Sequence, residues 1–321
     1  VRIPEGDLDL LAIGETLVDF ISEEEAESLR EAYAFRKYQG GSPANIAVNV
    51  AKLGGTSAVV SKTGIGNFGQ FLKAELQRAG VITDYMVMDH LVHTTVIFIS
   101  RTEGTPDFEA FRAGDYKLDP TEVNEEAVAR AKVVHASTFA LSREPCRSAV
   151  ERAFQLADAR GKIISLDPNY SRRIWPNYRE ARHVLERMLG YATITKPSLD
   201  DARRVFGAGE QPETYVEWFH EMGPPIVVLT MGAGGLLLSE EGEVTYVPAR
   251  KVEVVDATGA GDSFWAGFLT ALLDGSSLRR CALFAREIVE QKLSTVGPLP
   301  DSIDREEVYA RVDAVSEGER C

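Results

Sequence analysis

Short apolar runs recur along the 321-residue chain, separated by stretches with helical patterning: Leu8 to Ile13, Ser57 to Val60, Val133 to Ala136, Ile163 to Leu166, Ala192 to Ile194 and Ile226 to Leu229. Such runs suit strands buried on both faces. Their alternation with helices predicts an α/β fold, an open and mainly parallel sheet with helices on both sides. In that architecture ligands bind outside the carboxyl ends of the strands. The Gly, Asp, Thr and Ser residues that close several runs are therefore candidate site residues as a group.

Two segments break the alternation. Leu29 to Tyr38, and His93 to Ser100 with Phe108 to Arg112, carry alternating or β-branched side chains, and Glu103 to Asp107 reads as the turn between the latter two. They predict a small β-sheet from about residues 17–39 and 92–117, inserted in an α/β body of residues 7–16, 40–91 and 118–315. Residues 1–321 then form one domain. A sheet of this kind serves as a lid over a cleft or as an edge for dimer contact, and the two roles are compatible.

Charge narrows the function. A formal net charge of -14 argues against a broad phosphate-neutralising surface, so nucleic acid is not an expected partner. A nucleotide ligand would need backbone dipoles, a few Lys or Arg side chains and Mg²⁺ to reverse the field locally. Cys146, Cys281 and Cys321 lie far apart without a CxxC pair, and the five histidines lack metal-ligand spacing. No signal-peptide pattern and no bilayer-length apolar run is present, so a soluble protein of the reduced cytoplasm, without membrane partners, is expected.

Helix punctuation is clear at two places. Ser42-Pro43 reads as an N-cap and N1 proline opening a helix through Ile46, Val50 and Leu53 to Gly54-Gly55. Gly261-Asp262-Ser263 opens the apolar stretch Phe264 to Leu273, which Asp274-Gly275 ends; the tail after Val312 reads as frayed. The run Asp256-Ala-Thr-Gly-Ala-Gly-Asp262 follows the strand-like Lys251 to Val255, so the amides of Gly259, Ala260 and Gly261 can converge on an anion. A carboxylate beside a bound anion is misplaced for binding alone. Asp262 makes sense there as a base that takes a proton from an attacking hydroxyl, with helix capping as its plainer use.

Asp256 to Phe268 resembles the C-terminal motif of the ribokinase-like (PfkB family) carbohydrate kinases. Gly40 to Gly54, followed by Gly64-Ile-Gly-Asn-Phe-Gly69, resembles the family's N-terminal motif. The resemblance implies a ribokinase-like fold with Asp262 as base and Gly259, Ala260 and Gly261 as anion hole. It also implies Asp19, Gly40, Gly41 and Asn45 on the sugar, with ATP and Mg²⁺ as cofactors. Asp256 matches the position that in many members helps to hold a monovalent cation, K⁺, and the resemblance implies a homodimer through the inserted sheet.

On the nucleotide side the resemblance places Thr258, Lys196, Ser198 and the segment Thr230, Gly232 and Gly235, which alone reads as a strand-to-hairpin turn. Relatives carry Asn-x-x-Glu where this chain has Ser198 and Asp201, so a Mg²⁺ contact at Asp201 is expected to pass through water. The helix Ser276 to Glu290 would flank adenine, with Arg286 in place of a common Asn. Asp167, Asn169 and Arg172 lie in a strand-end motif resembling fructokinases and 2-keto-3-deoxygluconate kinases, although Ser171 replaces the usual Arg. Arg172 and Arg173 then reach the cleft or form a solvated pair, and Arg112 is a lid-side substrate contact or a strand-surface charge.

Read alone, Gly64 to Gly69 also satisfies GxGxxG, with Asp84 or Asp89 some way on, and suggests an NAD-dependent oxidoreductase. A noncatalytic sugar or nucleotide sensor on the same fold is a third reading. The reading that absorbs most motifs is ATP-dependent phosphorylation of a primary hydroxyl. Fructose ranks first by resemblance, then 2-keto-3-deoxygluconate, then a nucleoside.

Overall fold

The computed structural model describes residues 2–102, 107–175, 177–295, 298–301 and 303–318. Its strands are β1 (Leu8–Ile13), β2 (Leu17–Glu25), β3 (Phe35–Gly40), β4 (Ser57–Gly64), β5 (Met86–Asp89), β6 (Val96–Arg101) and β7 (Phe108–Phe111) in the first part of the chain. They continue as β8 (Ala131–Ser137), β9 (Ile163–Asp167), β10 (Ile194–Thr195), β11 (Ile226–Thr230), β12 (Leu236–Glu240) and β13 (Glu243–Val247). Nine strands form one sheet in the order β13-β12-β11-β10-β9-β8-β1-β4-β5. All its pairings from β5 to β11 are parallel, and β12 and β13 add an antiparallel edge.

Successive residues of β1 enter different cores, as the pleat of a strand requires. Leu11 and Ile13 pack with the helices Cys146–Asp158, Tyr178–Leu189 and Pro212–Glu221. Leu10 and Ala12 pack with the helices Ser42–Lys52, Ala260–Leu273 and Leu278–Leu293. Covering both faces is what allows a parallel sheet to be apolar throughout. The chain leaves β1 for β4 on one side and later returns to β8 on the other, so a crevice opens at the carboxyl ends of β1 and β8.

The second sheet has the order β3-β2-β6-β7. Asp19 lies opposite Tyr38 on one side and Ile97 on the other, so these share a face. Two expectations shift here. The strand expected over Leu29 to Tyr38 begins at Phe35 and pairs with β2, because the Glu24 carboxylate takes the amides of Tyr33 and Ala34 and holds the preceding residues in a turn. Lys251 to Val255 is not a strand. Val254 and Val255 are exposed, and the Val255 amide donates instead to the Leu293 carbonyl at 2.7 Å. The last helix runs from Arg305 to Gly318, past the point where the tail was expected to fray. The turn expected from Glu103 lies largely outside the described residues.

The helix Ala260–Leu273 is fixed to the sheet by Trp265. Its ring is fully buried, stacks on Phe268 at 5.2 Å and donates its N–H to Ser165 Oγ on β9 at 2.9 Å. Asp262 stands three residues earlier on the same helix, so this anchor also sets the position of the carboxylate. Trp265→Ala is expected to lower the free energy of unfolding by about 3–5 kcal/mol, read from the midpoint of urea denaturation. A loss too small to resolve would show that the helix is held by something else.

Candidate active site

Two helix N-termini, one from each end of the chain, meet at Asp262. Ser42 does not cap its helix as its sequence position suggests; Gly41 does, at φ +100°. A Cβ on Gly41 would stand 2.4 Å from the Glu15 carbonyl oxygen, so glycine is required there by both space and torsion. Relieved of capping, the Ser42 hydroxyl donates to Asp262 Oδ1 at 2.8 Å. One turn on, Asn45 Nδ2 donates to Asp262 Oδ2 at 2.9 Å, and Gln39 Nε2 holds the Asn45 oxygen at 3.1 Å. Asp19 reaches the same place from β2, over Gly40, where a Cβ would fall 2.0 Å from its Oδ2.

Burial pushes the Asp262 carboxyl above the ordinary range, and the donors Asn45 and Ser42 and the Lys196 ammonium draw it back. Burial, reinforced by the Asp262 charge, lifts Asp19 to about 7. Two buried carboxyls with different donor sets thus face one space. The carboxylate with donors and a cation to hold its charge is Asp262, which suits it to act as the proton acceptor.

Gly259 caps the helix Ala260–Leu273 in the left-handed region at φ +73°, with open space where a Cβ would be. The Ala260 amide turns back to the Ala257 carbonyl at 3.1 Å, which leaves the anion-facing role to its neighbours in the first turn. Lys196 Nζ lies 3.5 Å from the place a Gly261 Cβ would take and pairs with Asp167 Oδ2 at 2.9 Å. Burial works against its charge, but the Asp167, Asp201 and Asp262 carboxylates outweigh that and keep it an ammonium. An open glycine turn, a helix N-terminus and a fixed cation together fit a phosphate group.

Other expected residues are placed differently. Arg112 is buried in an ion pair with Asp115 at 2.6 Å, donates to Ser142 and lies over the Phe139 ring, so its guanidinium is already bound within the protein. Arg173 joins Asp107 and the Phe108 carbonyl of the second sheet, while Arg172 is exposed in the same turn. Asn169, at φ +29°, donates its amide to Asp167 Oδ1 at 3.2 Å. Ser198 and Asp201 form the capping box of the helix Leu199–Phe206, and Asp201 Oδ1 also accepts the Tyr170 amide. With both oxygens so engaged, Asp201 is a poor metal ligand even through water. Thr230, Gly232 and Gly235 make the connection from β11 to β12, with the Thr230 amide on the Pro197 carbonyl at 3.0 Å. Arg286, on the helix expected to flank adenine, is buried and donates to the Pro248 carbonyl at 3.0 Å. Asp256 accepts the Thr258 amide at 2.9 Å. Among the described residues no cluster of three or more His, Cys, Asp or Glu could hold a metal.

Glu15 was not singled out in the sequence. It is fully buried at the crevice, accepts from Ser137 Oγ at 3.0 Å and from the Ser42 amide at 3.2 Å, and burial lifts it to about 8. Its one legible signal is its place, just after the first apolar run.

Residues 7–302 match the pfkB family of carbohydrate kinases. An ATP-dependent 6-phosphofructokinase of Thermoanaerobacterium thermosaccharolyticum is 34% identical over 306 residues, covering 95% of this chain and 94% of its own. This chain belongs to the pfkB family. Fructokinase-1 of Oryza sativa subsp. japonica is 35% identical over 274 residues, 84% of this chain and 85% of that protein. The structure of Halothermothrix orenii fructokinase superposes with a TM-score of 0.78 at 37% identity, covering 91% of this chain and all of that one. The ribokinase-like fold and carbohydrate-kinase activity follow from these likenesses. The oxidoreductase reading of Gly64 to Gly69 falls with them. In this pfkB chain Gly69 is needed because a Cβ would meet the Gly64 carbonyl at 1.7 Å, and Gly64 because it would meet that of Val92 at 2.5 Å.

The Asn45 amide favours the charged form of Asp262. Asn45→Ala removes that donor, so the pKa of Asp262 rises and less base is ionised at a given pH. The acid limb of the pH profile of kcat/KM is expected to move to higher pH. An unmoved limb would detach Asp262 from the profile.

Proposed function

We propose that this kinase transfers the γ-phosphoryl group of ATP to a primary hydroxyl of fructose. The observation that carries the reading is the Asp262 carboxylate held by Ser42 and Asn45, with Asp19 opposite and the Gly259 to Gly261 turn beside it. Asp19, Asn45 and the Gly40-Gly41 backbone hold the sugar. Asp262 takes the hydroxyl proton as the oxygen attacks phosphorus and the bond to the ADP oxygen breaks. The Gly259 and Gly261 amides and the Lys196 ammonium offset charge on the transferred group, while Thr258 and the Thr230 to Gly235 connection flank the nucleotide. Mg²⁺ bound to the phosphates would add charge neutralisation.

The 6-phosphofructokinase relative raises fructose 6-phosphate as a second acceptor. Against it, the guanidinium groups of Arg112 and Arg173 on the lid side are each held by a carboxylate, Asp115 and Asp107. A neutral polyol needs no free cation there; a sugar phosphate does, and exposed Arg172, in the same turn as Arg173, is left to supply one. A homodimer is supported by the aromatic face opposite Asp19, where Phe20 stacks on Phe98 at 5.0 Å and Phe111 is half exposed. No described helix is long and apolar enough to cross a membrane. Buried Cys146 and Cys281 as free thiols fit a cytoplasmic setting.

ADP release over fructose, fructose 6-phosphate, 2-keto-3-deoxygluconate, ribose and adenosine tests the assignment. Fructose is expected to give the largest kcat/KM; preference for fructose 6-phosphate would move the acceptor, and no stimulation by any of them would remove the kinase reading. Asp262→Asn is expected to keep ATP and sugar binding by calorimetry while kcat falls by about 10³-fold. Turnover within a few-fold of normal would take Asp262 out of the mechanism.

A further inference from the structure

The glycine turn that would face the phosphate is anchored from behind by an ammonium group. Lys292, in the last turn of the helix Leu278–Leu293, is only 3% exposed. Its Nζ donates to the Asp256 carbonyl oxygen at 3.0 Å and lies 3.2 Å from Asp256 Oδ2. The other carboxylate oxygen, Oδ1, accepts the Thr258 amide, one residue before Gly259. The same helix end receives the Val255 and Asp256 amides on the Leu293 carbonyl, at 2.7 and 3.4 Å. One buried cation therefore ties the start of the turn to a helix terminus.

A backbone carbonyl beside a carboxylate is the oxygen set that a weakly hydrated monovalent cation takes, and the family likeness puts such an ion at Asp256. The residues present do not fit one. An ammonium already lies within hydrogen-bond distance of both oxygens, and a second positive charge at the same pair would face like-charge repulsion in a partly buried place.

We infer that Lys292 Nζ is a built-in monovalent cation, so that phosphoryl transfer in this chain is independent of K⁺. Lys292 is a positioning residue: it touches neither sugar nor nucleotide and acts by holding Asp256, and through it Thr258 and the amides of the turn. The functional part of the inference rests on the kinase reading; the cation exchange at Asp256 does not.

The rate of ADP release in tetramethylammonium buffer is compared with that in KCl at equal ionic strength. Wild type is expected to change by less than about twofold between the two. Lys292→Met is expected to lose about tenfold or more without K⁺ and to recover most of it as K⁺ is added. Melting follows the same pattern: wild type is insensitive to the exchange, while Lys292→Met melts lower and is raised by K⁺. Several-fold activation of wild type by K⁺ would overturn the inference whether or not the variant folds. So would a Lys292→Met protein whose rate and melting ignore K⁺. If no sugar elicits ADP release from wild type the kinase reading fails, and the melting comparison still decides the role of Lys292.

Discussion

Everything in the site depends on one carboxylate being shared by two helices. Asp262 opens the helix Ala260–Leu273, and the donors that hold it, Ser42 and Asn45, open the helix Ser42–Lys52 more than 200 residues earlier. Each helix turns its N-terminal dipole toward the same point. In a chain of net charge -14 this is how the local field is reversed, because the positive ends are fixed backbone rather than mobile side chains. A base needs to be charged and close to a polyanion at once. The two helix ends and Lys196 lower the cost of that state at the place where the phosphate approaches.

The same crevice concentrates buried acids that the fold must tolerate. Asp167 is matched by Lys196, whereas Glu15 has only hydroxyl and amide donors. With burial lifting Glu15 to about 8, against 4.5 when exposed, it is mostly protonated in the native state at neutral pH. Its contribution to stability is fully present below the unfolded value of 4.5 and is lost as pH rises through about 8. The cores on either face of the sheet carry that load, and Trp265 binds the base helix to one of them. Stability and position of the base are thus set by the same helix.

Much of this was legible before any coordinates. The strands of the parallel sheet appear as apolar runs, because burial on both faces leaves no room for polar residues, and the two glycine motifs stand out because an anion turn and a close helix approach allow few alternatives. What stayed hidden depends on partners distant in sequence. Nothing local tells that Gly41 rather than Ser42 caps its helix, since the Glu15 carbonyl that excludes a Cβ lies 26 positions earlier. Arg112 reads as a cleft residue until Asp115, three positions on, is seen to fold back on it. Lys251 to Val255 has the composition of a strand and no neighbour to pair with. Lys292 has no motif at all; only the fold brings its ammonium to Asp256.

These placements separate chemistry from choice of sugar. The proposed base Asp262, the glycine turn and Lys196 belong to the body, where Asp262 is held by Ser42 and Lys196 by the buried Asp167. The second sheet carries Asp19 on one face, and the exposed Arg173 ties it to the turn after β9 through the half-buried Asp107. An exposed ion pair is weak and screened by salt, so that link can open and reform, while Asp19 approaches the sugar from the sheet side. Closing the sheet would remove water from beside Asp262 and complete the set of groups around the acceptor hydroxyl. On the proposed function, which sugar is accepted turns on residues of the second sheet, and a sheet that closed only over a sugar would limit hydrolysis of ATP in its absence.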